Sequence, residues 1–218
     1  MWVEDLKLEI KLFNSLPSTQ TYLIEAIESK LLQAPVAVQT LEQSAGIGSR
    51  DNEWTGGEGN FFASIALKVE DLPKDLPLSS SSIYFSFIMK KILLEFGENV
   101  WLKWPNDFYV NDKKVGGTIT KKINDTLVCG IGINLKKSQN GYAGLQSDIS
   151  PQNLFEKYIL VLERFPSWKH IFSEYEVEFE LSRRFSVHIE NYQQSLVDAS
   201  LQSDGSLIIM GKKVFSLR

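Results

Sequence analysis

Lys103-Trp104-Pro105-Asn106-Asp107 packs an ammonium, an amide and a carboxylate into five residues at the end of an apolar run, Val100 to Trp104. Pro105 fixes its own φ and disfavours helix at Trp104, so a strand must end sharply there. Seven residues after Asp107 stands Lys114, ahead of Val115-Gly116-Gly117. Paired glycines inside a strand let a ligand or another backbone approach closely. The turn signal Asn111-Asp112 between the two segments predicts a hairpin that sets their functional groups side by side. Lys103 to Lys137 holds seven lysines and three aspartates, a local +4 in a chain of net charge −4. Such a patch favours a phosphate-bearing ligand. The plainer readings are a turn with a solvated ion pair and an ordinary lysine-rich face.

A second candidate is the segment Gln43 to Trp54, within a polar stretch from Glu42 to Asn60 that carries Gly46, Gly48, Gly56, Gly57 and Gly59. A glycine-rich loop of that length inside a compact domain is functional or disordered. Gly46 and Gly48 can offer backbone N–H groups to an anion, and Arg50 adds a planar cationic fork. Familiar nucleotide motifs are missing. Gly46-x-Gly48 and Gly130-x-Gly132 begin like a dinucleotide fingerprint, but Asp51 and Leu135 replace its third glycine, and no phosphate-binding Gly-x-x-x-x-Gly-Lys-Ser/Thr loop exists. His170 and His188 lack metal-ligand spacing. Cys129 lies in the apolar run Leu127 to Ile133 and reads as a buried, inert thiol.

The elements that must position these residues follow from periodicity. Leu8 to Phe13 alternates like a half-buried strand. Ser18 or Thr19 can cap a helix whose inward face is Leu23, Ile27 and Leu31. Val36 to Leu41 and Phe61 to Val69 read as strands on either side of the polar stretch. Ser79 to Ser82 leads into a helix with Ile83, Phe87 and Leu94 inward, ending at Gly97. Val100 to Trp104, Phe108 to Val110, Lys114 to Lys121 and Thr126 to Leu135 are strands separated by turns. Lys136 to Ser150 is a polar connection, and Pro151 to Leu181 reads as two helices broken near Pro166. Short alternating runs from Phe185 to Leu217, with turns at Asp204-Gly205 and Gly211-Lys212, make a small β unit.

At 218 residues, 43% hydrophobic and 23% charged, the chain can bury a sizeable core. Its net charge of −4 argues against a general nucleic-acid binder. One cysteine allows no intrachain disulfide, which suits a reducing compartment. The start, Met1 to Leu6, lacks the pattern of a signal peptide, and no apolar stretch is long enough for a transmembrane helix. The expectation is a cytoplasmic protein with neither membrane nor nucleic acid as partner.

Taken together, these segments resemble the catalytic domain of biotin–protein ligases. Lys103 to Asp107 is the family's Lys-Trp-Pro-Asn-Asp, followed by Lys114 ahead of Gly116-Gly117. Pro17-Ser18-Thr19-Gln20 is similar to the family's Asp-Ser-Thr-Asn, and Gly130 to Asn134 to its Gly-x-Gly-Ile-Asn. The ending Phe215-Ser216-Leu217-Arg218 looks like that of the family's SH3-like domain. The resemblance implies an α/β fold (α+β): a class II synthetase-like catalytic domain over residues 1–182, with a mixed central sheet flanked by helices. A small SH3-like β-barrel would follow over 183–218. It implies ATP-dependent activation of biotin to biotinyl-5′-AMP, pyrophosphate release, and transfer to a lysine of a biotin carboxyl carrier protein.

By the same resemblance, Lys114, Asp107 and Lys103 would be catalytic. Biotin would lie among Ser18, Thr19, Gln20, Gln43, Gly48, Ser49, Arg50, Lys114, Gly116 and Gly117. The adenylate would meet Gly46, Arg50, Trp54, Asn106, Asp107, Lys114, Asn134 and Arg218, and Asp107 could hold Mg²⁺ brought with ATP. Two positions depart from the family. Its loop reads Gly-Arg-Gly-Arg where this chain has Gly46-Ile47-Gly48-Ser49, leaving Arg50 as the nearby cation, and Val214 replaces an acid near the C-terminus. A lipoate–protein ligase or octanoyltransferase shares the fold, and a non-catalytic sensor of biotinyl-adenylate is the rival of another class. An exposed sheet edge could support a homodimer.

Overall fold

In a computed structural model the chain is described over residues 8–48, 53–136, 143–145, 148–189 and 192–215. Ser49, Arg50 and Arg218, all expected at the site, lie outside these residues.

Strands β1 (Glu9–Leu16), β2 (Val36–Ile47), β4 (Phe61–Lys68), β8 (Thr126–Ile133), β7 (Lys113–Ile123), β6 (Asp107–Val110) and β5 (Trp101–Lys103) form one mixed sheet in that order, and β3 (Glu53–Gly56) pairs with β2. The first pair is parallel, joined through helix α1 (Thr19–Glu28), and the remaining pairs are antiparallel. Central strands β4 and β8 are apolar on both faces because both faces are covered. On one face α1 packs through Leu23 against Val36, Val38, Ala66 and Val128. The other face carries α2 (Ser81–Glu95), α3 (Pro151–Leu162) and α4 (Trp168–Glu178), with α2 buried almost all round. The larger core lies between these helices and the sheet. No helix among the described residues is long and apolar enough to cross a membrane.

Helix starts follow the expected chemistry. Ser18 caps α1, Ser150 followed by Pro151 caps α3, and Ser167 caps α4 just after Pro166. Four residues of the expected apolar faces are exposed: Ile10 (45%) and Leu12 (63%), because β1 is an edge strand, and Leu31 and Leu94 on the helices. α1 stops at Glu28, Lys30 turns left-handed at φ 61°, and Leu31 is 71% exposed. Leu94 is 42% exposed, because the last turn of α2 runs past the layer it packs on.

The polar stretch Glu42 to Asn60 is not a plain loop. β2 continues to Ile47 and β3 returns along it, pairing Gly46 with Trp54. A Cβ at Gly46 would lie 2.4 Å from the Trp54 carbonyl oxygen, so this glycine permits close strand approach.

The C-terminal β unit comprises an antiparallel pair, β9 (Ser186–Ile189) with β10 (Tyr192–Ser195), and a three-stranded sheet of β11 (Ser200–Leu201), β12 (Leu207–Ile209) and β13 (Lys212–Val214). Gly205 and Gly211 take the positive φ expected of its turns. Its Val187, Leu196, Leu207 and Ile209 share the main core with Trp104.

Candidate active site

The Lys114 ammonium lies 2.6 Å from Asp107 Oδ1. A regular hairpin would not bring this about. Asp107 faces Gly117 and Phe108 faces Gly116, but Tyr109 faces Lys114, so one residue is extra on β7. That bulge reverses the alternation and moves Lys114 onto the face shared by Asp107 and Tyr109. Gly117 keeps the space beside the pair open, since a Cβ there would meet Asp107 Oδ1 at 3.4 Å.

Asn106 is tied down beside this pair. Its Nδ2 donates to the Thr118 carbonyl and its own carbonyl accepts from Thr118 N at 3.0 Å. Lys103 pairs with Asp107 across β5 and β6, its Nζ 5.5 Å from the rings of both Tyr109 and Phe185. Burial, helped by the Asp107 carboxylate, pushes the Tyr109 phenol up to about 12, so it remains neutral beside this cation.

Across the sheet, the start of α1 and the middle of β2 form a buried polar cup. Gln43 Oε1 accepts from Thr19 N at 2.8 Å and from Thr19 Oγ1 at 3.0 Å, and Ser64 Oγ donates to Thr19 Oγ1 at 2.9 Å. Ser18, Thr19, Gln20 and Gln43 are each less than 9% exposed. Gln20 Oε1 is buried with no partner among the described residues, and so is Trp54 Nε1. Buried polar atoms without partners are costly and call for explanation.

Cup and cation are joined by a floor of glycines. Gly117 faces Gly132 and Ile119 faces Gly130 across β7 and β8, so three positions on one face of the sheet carry no side chain. Gln20 covers Gly130, where a Cβ would meet its Oε1 at 2.6 Å, and the Trp54 indole covers Gly132 at 3.1 Å. The resulting inner cleft measures about 40 Å³ and is lined by Ser18, Gln43, Gly48, Trp54, Asp107 and Lys114 among others. It opens beside a groove of about 920 Å³ that runs over Asn106, Asp107 and Lys114 towards Lys103 and His188.

Most of the expected residues therefore meet. Ser18, Thr19, Gln20, Gln43, Gly48, Trp54, Asn106, Asp107, Lys114 and Gly117 line the cleft. Lys103 lines the outer groove alone. Gly116 faces away, its Cβ position 2.6 Å from the Gly132 carbonyl, and serves strand packing. Asn134 is buried and spends its amide on the Ala143 carbonyl, while Gly46 serves the β2–β3 hairpin. Three contributors fall outside the expected set: Ser64, which orients Thr19, and the floor glycines Gly130 and Gly132, which belong to the Gly-x-Gly-Ile-Asn motif but carried no expected role. The signal for the glycines was present, since Gly-x-Gly inside an apolar strand empties one face. Cys129 is buried and its thiol is pushed up by burial, which agrees with an inert role.

Comparison with known proteins places this geometry. A model of the biotin/lipoate A/B protein ligase family matches residues 12–138. The chain belongs to that family. A solved structure described as biotin acetyl coenzyme A carboxylase synthetase from Helicobacter pylori, with bound biotinylated ATP, superposes with a TM-score of 0.91 at 40% identity, covering 96% of this chain and 100% of that one. The bifunctional ligase/repressor BirA of Escherichia coli is 33% identical over 126 residues, 54% of this chain and 38% of BirA, so the chain spans well under half of that relative. The biotin protein ligase of Aquifex aeolicus, in complex with biotin and ATP, shares the fold with a TM-score of 0.74 at 20% identity, covering 96% of each chain.

Proposed function

We propose that the protein is a biotin–protein ligase that makes biotinyl-5′-AMP from biotin and ATP and passes biotin to a lysine of a carrier protein. One observation carries this reading: a buried polar cup and the Lys114–Asp107 pair stand at opposite ends of a single glycine floor. Biotin has this same polarity, with a cyclic urea at one end, an apolar thioether ring and chain between, and a carboxylate at the other.

The cyclic urea would meet Ser18, Thr19, Gln20 and Gln43, where the unpartnered Gln20 Oε1 supplies an acceptor for a urea N–H. The thioether ring and chain would lie on Gly130, Gly132 and Gly117. Lys114 would hold the carboxylate and then the α-phosphate. Asp107, braced by the neighbouring Asn106, would face the triphosphate and any Mg²⁺ that travels with it. The described residues contain no cluster of three acidic, histidine or cysteine side chains. A single carboxylate beside a phosphate site nevertheless suits Mg²⁺, which is commonly bound through one or two carboxylates plus substrate phosphates. Lys103, Arg50 and Arg218 would add cationic contacts for the nucleotide, with Gly46, Gly48, Ser49 and Trp54 forming its cover and Asn134 bracing the floor's far edge.

In the first step a biotin carboxylate oxygen attacks the α-phosphorus, the bond to the β-phosphate breaks, and pyrophosphate leaves. In the second the acceptor lysine amine attacks the acyl carbon, AMP leaves with the bonding electrons, and a proton is released. Neither step needs a protein nucleophile; alignment and cationic stabilisation of phosphoryl charge supply the catalysis. Ligand pockets usually run to about 300–1,000 Å³. The cleft of about 40 Å³ therefore has to open for biotin, and the Trp54 hairpin lying on Gly132 is the part that must lift.

We place the enzyme in the cytoplasm, acting on the carrier subunit of a carboxylase and not on nucleic acid. Its edge strand β1, with Ile10 45% and Leu12 63% exposed, supports a homodimer. The test is to mix the protein with biotin, Mg-ATP and a biotin carrier domain and to follow pyrophosphate and carrier labelling. Both are expected. Labelling with lipoate or octanoate in place of biotin contradicts the substrate assignment, and pyrophosphate release without carrier labelling contradicts the transfer step.

A further inference from the structure

β5 is the outer strand on its side of the sheet, and such a strand normally leaves alternate N–H groups without strand partners. Here both are captured from outside the sheet. Leu102 N donates to Glu178 Oε1 at 2.7 Å, and Trp104 N donates to Ser182 Oγ at 3.0 Å. Glu178 ends α4 and Ser182 lies in the 3-10 helix (Phe179–Arg184) that follows it directly, so one helical segment presents both acceptors to alternate residues of the strand. Glu178 is fixed by Lys90, 2.5 Å away in a pair about nine-tenths buried, and Ser182 is fully buried.

A third bond completes the clamp. Trp104 Nε1 donates to the Gly205 carbonyl at 3.0 Å. The turn bearing Gly205 is held in its place by Trp168 Nε1, which donates to the Ser203 carbonyl at 2.9 Å, and by the Ser80 hydroxyl, which donates to the Asp204 carbonyl. Pro105, Asn106 and Asp107 follow directly. Everything that fixes β5 on its free side therefore fixes the strand end that leads through Pro105 and Asn106 to Asp107, the first residue of β6 and the partner of Lys114.

We propose that Glu178 and Ser182 are positioning residues for the Asn106–Asp107 turn, setting the phosphate-binding end of the site while leaving the polar cup untouched. The statement about the turn rests on geometry alone; naming its end as the phosphate end rests on the function proposed above.

Ser182→Ala removes one acceptor with little change of volume. Hydrogen exchange over residues 102–108 and at the Thr118 amide is expected to quicken by about tenfold or more, while residues 36–43 exchange as before. The KM for Mg-ATP should rise by about tenfold with the biotin Kd within about twofold of wild type. Tyr158→Phe, which deletes a buried hydrogen bond to the Phe85 carbonyl between α3 and α2, should change neither. Lys90→Met/Glu178→Gln keeps the acceptor for Leu102 and should stay near wild type, whereas Lys90→Met/Glu178→Leu should behave like Ser182→Ala. Unchanged exchange over 102–108, the same acceleration in Tyr158→Phe, or a biotin Kd rising in step with the KM overturns the proposal. A wild-type protein that turns over no biotin contradicts the proposed function, and the exchange experiment still decides the clamp.

Discussion

Lys114 and Asp107 form their 2.6 Å ion pair only because β7 carries one residue more than β6 opposite it. Without that bulge Lys114 would share a face with Gly116 and point away from the glycine floor. Lys114→Ala is expected to lower the rate of pyrophosphate formation at least tenfold, about 1.4 kcal/mol of transition-state stabilisation. Steady-state kinetics with saturating ATP check this, and unchanged kinetics remove Lys114 from the mechanism.

Gly116 and the Gly132 carbonyl leave no room for a methyl group, with a Cβ 2.6 Å from that oxygen and 3.0 Å from the Phe108 ring. The carbonyl belongs to the central strand β8 and the Phe108 ring is fully buried, so neither can swing aside. Gly116→Ala should destabilise the fold by about 1–3 kcal/mol, the usual range for overpacking. Urea unfolding measures it, and an unmoved midpoint contradicts the assignment of Gly116 to strand packing.

Trp54 lies on Gly132, where the ligand's ring system would rest. Biotin binding should therefore change tryptophan fluorescence, and Trp54→Phe should abolish most of that change although four other tryptophans remain. Titration of both proteins decides this. A signal that survives in Trp54→Phe means that the hairpin does not move.

Asp204 ties the Gly205 turn to β13. Burial pushes its carboxyl up, but the Lys213 ammonium at 2.7 Å and two bonds from Ser206 outweigh that and hold it below the usual carboxylate range. A carboxylate depressed on folding adds stability above its unfolded value, about 3.9, and that stability is lost as pH falls through the folded value. The stability gap between wild type and Asp204→Asn should therefore be constant from about pH 6 to 5 and shrink on further acidification. Unfolding curves across that range test it; a gap that widens towards acid has the wrong sign.

Much of this site could be read in the sequence wherever the information is local. The cap at Ser18, the helix breaks at Pro151 and Pro166, the stop at Pro105 and the pairing of Lys103 to Asp107 with Lys114 to Gly117 each depend on neighbouring residues. The bulge did not show, because an extra residue is defined only against the opposite strand. Composition misread the segment Glu42 to Asn60, since Gly46, which permits the close approach to Trp54, looks the same as a loop glycine. The clamp on β5 joins Trp104 to Ser182 across 78 positions and to Gly205 across 101, and no periodicity reports such contacts.

The central claim is that cup, floor and cation together select and activate biotin. Single-turnover reactions with Mg-ATP and either biotin or octanoate, quenched and analysed by mass spectrometry for the acyl-adenylate, test it most directly. Biotinyl-5′-AMP should accumulate on the enzyme with biotin, and little or no adenylate should form with octanoate, which has no urea for the cup. Equal adenylation of octanoate, or none with biotin, would contradict the account.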